Sequence, residues 1–183
     1  IEADKTADVK TENEYEYTTS VNPVNVTVEG TVILTGRPWE DTDEFTFRMQ
    51  KWNSETNEWE QVGTDITVNG SEVSGTNNSI GFDFTDIYRN NEEYSEIGSY
   101  LYRIVEIEPE DKIGGVTYDK TVHSFVVEVT DEDMDAALEI KDVYSNGETQ
   151  VNKPSSDSYE VIVDFENIYS TTGRQDVSID INK

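Results

Sequence analysis

Tyr100-Leu101-Tyr102-Arg103-Ile104-Val105-Glu106-Ile107 decides the fold. Tyr100, Tyr102, Ile104 and Glu106 share one face of an extended chain, and Leu101, Arg103, Val105 and Ile107 share the other. That period of two is the pattern of a β-strand packed on both sides. The first face carries a single carboxylate among apolar and aromatic neighbours.

The same alternation recurs on either side. Upstream, Val24, Val26 and Val28 alternate with polar residues, and Thr31–Thr35 continues the strand after Gly30, where a bulge is expected. Phe45, Phe47 and Met49 form a second run that ends near Trp52, before the turn residues 53–57. Trp59 and Gln61 lead into Ile66 and Val68, and Asn69-Gly70 is read as a hairpin turn. Ile80, Phe82 and Phe84 make a further strand, and residues 86–97 are polar and loop-like with a short helical turn. Downstream, Ile113-Gly114-Gly115 turns the chain. His123, Phe125, Val127 and Val129 alternate, Leu138, Ile140 and Val143 return, and Tyr159, Val161, Val163 and Phe165 close the body. Short strands at regular spacing predict an all-β protein, an antiparallel β-sandwich.

Three segments follow: a polar N-terminal extension over 1–20, one sandwich domain over 21–169, and a tail over 170–183. The tail ends in Val177-Ser178-Ile179-Asp180-Ile181-Asn182-Lys183, which echoes Val24–Glu29. It is read as a strand given to another subunit, or as the first strand of a following module.

Forty acidic residues against thirteen basic ones give a net charge of -27. Nucleic-acid binding needs clustered Lys and Arg, so that class is excluded. An anionic membrane surface is disfavoured as well, and the charge is read as solubility and self-repulsion. No run approaches the eighteen or so apolar residues of a membrane span, and no secretory h-region is present. The sequence reads as a mature product or a fragment. It has no cysteine, so no disulfide can staple it.

Outside the strands, few residues suggest chemistry. Asp131-x-Asp133-x-Asp135 opens like a calcium loop but lacks the glycine at position six and the glutamate at position twelve. It is read as a solvated turn, and no metal or cofactor is expected. His123, the only histidine, has no nucleophile or metal-ligand partner by spacing and is read as structural. Trp39, Trp52 and Trp59 are read as sandwich-edge cover, with a sugar-stacking face as the alternative.

Leu34-Thr35-Gly36-Arg37 with Glu44-Phe45-Thr46-Phe47, then Tyr100–Glu106 with Gly115–Val122, then Val163-Asp164-Phe165-Glu166-Asn167-Ile168-Tyr169 resemble, in order and spacing, the FctA-like pilin domains of Gram-positive surface pili and adhesins. The resemblance implies an Ig-like, CnaB-type sandwich in an extracellular, cell-surface fibre subunit or stalk module. Its partners would be copies of itself or tandem modules. A ligand-binding adhesin domain for a host protein or carbohydrate is the alternative. Turnover is not implied. The family's chemistry is a single autocatalytic isopeptide bond, in which a lysine amine condenses with an asparagine under the influence of a glutamate. By the resemblance, Glu106 is the proton shuttle and Asn167 the acceptor. The lysine position, two residues before Leu34, holds Val32, so the usual internal bond lacks its donor. Lys183 is the candidate intersubunit donor, with Lys10 a weaker one.

Overall fold

The computed structural model describes residues 17, 19–73 and 78–171. Lys10, Lys183 and the strand read at 177–182 lie outside the described residues. The described strands are β1 (Val26–Thr35), β2 (Glu44–Asn53), β3 (Glu58–Gln61), β4 (Ile66–Asn69), β5 (Ser79–Asp83), β6 (Gly98–Ile107), β7 (Val116–Thr117), β8 (His123–Thr130), β9 (Glu139–Ser145), β10 (Gln150–Ser155) and β11 (Ser158–Tyr169). A short helix, α1 (Thr85–Asn91), follows β5. Among the described residues no helix is long and apolar enough to cross a membrane.

The strands form two sheets, one in the order β10-β11-β1-β5 with β7 added on β11, the other in the order β3-β2-β6-β8-β9 with β4 added on β2. Alternation along each strand sends one set of side chains between the sheets. Val26, Val28, Val32 and Leu34 of β1, Val161, Val163 and Phe165 of β11, and Phe45, Phe47 and Met49 of β2 are all buried there. Phe47 and Phe82 stack across the gap at 4.2 Å, with Phe165 4.9 Å from Phe47.

The sandwich expected from the strand spacing is thus present, with one ladder that departs from the antiparallel pattern. The first and last long strands, β1 and β11, run parallel in unbroken register from Val26↔Tyr159 to Thr35↔Ile168. Parallel neighbours need a long connection, and here it is the remainder of the domain.

Two local expectations are corrected. Gly30 is not a bulge, because both ladders of β1 pass through it without a shift. A side chain there would strike the Phe82 ring at 2.3 Å, so glycine lets that ring lie on the backbone. Asn69-Gly70 is not a hairpin turn either. Residues 66–69 pair with Phe47–Glu44 of β2, and Asn69 caps a 3-10 turn over Gly70–Glu72. Gly70 passes over the loop at Glu40, where a Cβ would meet the carbonyl oxygen at 1.9 Å.

The Leu34-Thr35-Gly36-Arg37 run has a structural account. Gly36 has φ +89°, and a Cβ would lie 1.9 Å from the Tyr169 carbonyl oxygen. Arg37 makes a two-pronged ion pair with Asp43 at 2.6 and 2.7 Å and lies over the Tyr169 ring. Burial pushes the Asp43 carboxyl up, but Arg37 and the Glu40 N–H outweigh it and hold it below the ordinary range. At the other end of the body, Val21 pairs with Tyr94 and Thr19 with Ala137. Thr19, within the stretch read as an extension, thus contacts the sandwich.

Candidate functional site

Glu106 lies near the end of β6 on its inward face, opposite Phe47 of β2. Asn167 lies near the end of β11 in the other sheet, opposite Leu34 of β1, and is fully buried. Their side chains meet across the sandwich, where Asn167 Nδ2 donates to Glu106 Oε1 at 3.0 Å. The two residues singled out for the bond site are therefore direct partners. Arg103, the other conceivable partner for Glu106, donates instead to Gln50 at 2.9 Å and stacks on Trp59.

The carboxamide is held at both ends. Its Oδ1 accepts the Asp119 main-chain N–H at 2.8 Å. A main-chain N–H can only donate, so this contact fixes which end is oxygen and turns the nitrogen to Glu106. Asp119 belongs to the Gly115–Val122 stretch of the resemblance, where the sequence assigns it no role. It sits in the loop between β7 and β8, and its effect on Asn167 comes through the backbone.

Glu106 has one satisfied oxygen and one that is not, for Oε2 is buried and has no hydrogen-bond partner. Burial raises the carboxyl from an ordinary 4.5 to about 7; the Asn167 hydrogen bond opposes the rise, the Asp119 charge adds to it, and the Asp119 main-chain N–H opposes it. The nearest lysine in the loop, Lys120, is exposed and paired with Glu108.

Val32 is fully buried. It stands beside Phe165 on β11 and Ile80 on β5, two residues before the Leu34–Asn167 pair and on the same inward face. A side chain at 32 is thus Asn167's diagonal neighbour across the parallel ladder, within the span of a long side chain. The surroundings are aromatic: Phe47, Phe82 and Phe165 pack together, and His123 meets Phe165 edge-on at 4.7 Å. His123 is itself buried, with Nε2 3.0 Å from the Asp164 carbonyl oxygen.

Chemically, the arrangement holds an amide with a carboxyl group at its nitrogen and an N–H donor at its oxygen. Those are two parts of an acyl-transfer centre. The third part, a nucleophile, is absent from position 32.

Besides Asp43, a further buried carboxylate has no role in the sequence reading. Glu92, just past α1, accepts from Lys51 Nζ and from the Tyr102 hydroxyl, both at 2.6 Å on Oε2. Tyr88, Tyr94 and Tyr102 link their hydroxyls at 2.6 and 2.9 Å. The Lys51 ammonium lies 5.0–5.7 Å from the ring centres of Tyr94, Tyr100 and Tyr102. Burial pushes the Tyr88, Tyr94 and Tyr102 phenols up, so all three stay neutral.

The other candidate residues do not converge. Trp52 and Trp59 pair with each other across β2 and β3. Trp39 is apart from them, bonded to the Asn78 carbonyl and edge-on to Phe45. The carboxylates of Asp131, Asp133 and Asp135 gather within 4.8 Å but accept the N–H groups of their own loop, from Asp135 to Ala137.

Comparison with known proteins follows the same lines. The model of the FctA family, described as the Spy0128-like isopeptide containing domain, matches residues 25–170. The major pilin of Streptococcus pyogenes superposes with a TM-score of 0.50 at 21% identity, over 79% of this chain and 50% of the pilin. The major pilin protein (T-13) of the same species gives 0.49 at 21% identity, over 84% and 55%. The chain thus spans about half the length of these pilins. No curated protein sequence matches it.

Proposed function

Because this chain belongs to the FctA family of isopeptide-containing domains, we propose that it is a structural module of an extracellular, surface-attached fibre, and that its bond-forming centre is silenced by Val32. The observation that carries the reading is the Asn167–Glu106 hydrogen bond across the two sheets, with a buried valine at the neighbouring ladder position. The fibre would be built from copies of this chain or from tandem modules like it.

The parallel β1–β11 ladder suits that role. Tension entering before Val26 and leaving after Tyr169 loads opposite ends of two parallel strands. The ladder is then sheared along its length and does not unzip pair by pair. In a relative carrying lysine at position 32, a covalent link would cross this same ladder. Here hydrogen bonds and packing alone resist the shear.

The chemistry follows from the groups present. A lysine at 32, fully buried between Phe165 and Ile80 on the neighbouring strands, would be pushed toward its neutral form. Its amine would attack the Asn167 amide carbon, forming a C–N bond. Glu106 would carry the proton from the attacking nitrogen to Nδ2, and ammonia would leave. One event per molecule completes the reaction, so the domain is no turnover enzyme.

Assembly through the C-terminal tail is part of the proposal. The tail strand of one subunit would add to the body of the next, with Lys183 the candidate amine for Asn167 there.

Intact mass with denaturing electrophoresis of the native material tests both parts. A single band at the full unmodified mass is expected for the isolated chain. A ladder of multiples, each step lighter than whole subunits by one ammonia, would show that the acceptor reacts with a partner's amine despite Val32. Val32→Lys is expected to lose the mass of one ammonia. If it retains full mass, the roles given to Glu106 and Asn167 are wrong.

A further inference from the structure

We propose that Asp119 is the positioning residue of the bond-forming centre: its main-chain N–H orients the Asn167 carboxamide and faces the oxygen on which negative charge would develop. This deepens the reading of Glu106 and Asn167 given above and rests on it.

Three contacts carry the assignment. The Asp119 N–H donates to Asn167 Oδ1 at 2.8 Å. One oxygen of the Asp119 carboxylate accepts the Thr121 N–H, and the other accepts the Glu166 N–H, each at 2.8 Å. Glu166 immediately precedes Asn167 on β11. Asp119 therefore grips β11 at two consecutive residues, holding one by its backbone and the next by its side chain. The Thr121 contact fixes the loop from its other side.

The consequence for an asparagine is specific. A free carboxamide turns about its terminal torsion, and the two orientations differ only in where nitrogen and oxygen lie. With the oxygen taken by a donor that cannot reverse, the nitrogen must face Glu106. Attack on the amide carbon moves charge onto the oxygen, which already sits against an N–H. Collapse expels the nitrogen, which already sits against the carboxyl that would protonate it. A flipped carboxamide would set a leaving nitrogen against an N–H donor and an oxyanion against a carboxylate.

The contact also explains part of the Gly115–Val122 motif. Tyr118 is buried and takes the Ile113 N–H on its hydroxyl, which seats the loop. Asp is the residue that follows because its short side chain reaches both neighbouring N–H groups while its own N–H stays directed at residue 167.

Two measurements test the proposal. In the native chain, exchange and rotation of the Asn167 side-chain amide protons are followed by NMR. Asp119→Ala is expected to speed them by roughly tenfold or more, Asp119→Asn less, while the main-chain amides of β2 and β6 keep their protection. In the Val32→Lys background, ammonia loss is timed by intact mass after refolding. Val32→Lys with Asp119→Ala should react on the order of tenfold to a hundredfold more slowly than Val32→Lys alone. Restoring one acceptor with Asp119→Asn should recover part of that rate.

Equal rates in Val32→Lys with and without Asp119→Ala would overturn the role of Asp119 and leave Glu106 and Asn167 standing. Full retained mass in Val32→Lys would overturn the centre itself, and the amide-proton measurement would still decide whether Asp119 orients Asn167. Unchanged amide-proton behaviour in both Asp119 variants would end the proposal. If Asp119→Ala does not fold, Asp119→Asn serves in both measurements.

Discussion

Glu106 and Glu92 are both carboxylates drawn into the sandwich from aqueous surroundings, and they are completed differently. Glu92 has a cation, a phenol and three tyrosine rings around that cation. Glu106 has one amide donor and a buried oxygen with nothing on it. The first is a finished ionic site. The second is an incomplete one, and under the proposed function the group it lacks is the amine of a lysine at position 32. Removing a charge from water costs several kcal/mol unless a partner offsets it. The shift of Glu106 toward the neutral acid at about pH 7 is that cost made visible.

The largest expected effect comes from completing Glu106. A cross-link between positions 32 and 167 closes a loop of more than a hundred residues, and loop-closure entropy puts its worth at about 4 kcal/mol. Val32→Lys, once bonded, should melt roughly 10 °C above the native chain, with the mass of one ammonia lost. A bonded variant that melts with the parent would show that the ladder is already as tight as a covalent link makes it.

Unmaking the other site should come next. Lys51→Met leaves Glu92 buried with only the Tyr102 hydroxyl, and breaking a buried pair from one side is costly. Because Lys51 is partly exposed, we expect a loss of about 3 kcal/mol in denaturant unfolding. A loss under about 0.5 kcal/mol would make Glu92 no better completed than Glu106 and remove the contrast.

The sequence and the structure agree where the physics is local. Period-two alternation alone places Tyr102, Ile104 and Glu106 on one face, and nearby groups leave that pattern intact. It does not state pairing. The parallel partnership of β1 and β11, which makes Asn167 the diagonal neighbour of Val32, joins residues 133 apart and leaves no local trace. Lys51 and Glu92 are 41 residues apart and look like two surface charges in a chain full of them. β10 escapes notice because it is a polar edge strand containing Pro154. Asn69-Gly70 has strong turn chemistry that a crowded crossing uses for another purpose. The Glu106–Asn167 partnership was legible only through the family resemblance, since neither residue type at that spacing implies the other.

The pH dependence of stability separates the two carboxylates further. The folded Glu106 holds its proton up to about pH 7, whereas its unfolded form releases it near 4.5. Between those values the native state binds more protons than the unfolded one, so stability falls as pH rises. The contribution is full below about pH 4.5 and gone above about pH 7. We expect a decline of about 2 kcal/mol across that window, discounted for the partial exposure of the residue. Glu106→Gln should remove that slope. If the variant keeps it, the titrating group is another of the forty acids.

The smallest effect sharpens the comparison by deleting one donor where partners are redundant. Tyr102→Phe takes a hydroxyl from Glu92 and from Tyr94. Glu92 still has Lys51, and Tyr94 still has the Tyr88 hydroxyl at 2.6 Å, so every remaining polar atom keeps a partner. The cost should be about 1 kcal/mol, that of one net hydrogen bond. Asn167→Ala removes the partner of Glu106 Oε1 and of the Asp119 N–H together, with nothing to replace either. It should cost at least twice as much above pH 7, where Glu106 is charged. Below about pH 7 the excess should shrink, because a neutral Glu106 no longer demands a donor, while the Asp119 N–H still lacks its acceptor. Equal losses at every pH would mean that the redundancy around Glu92 has no energetic meaning.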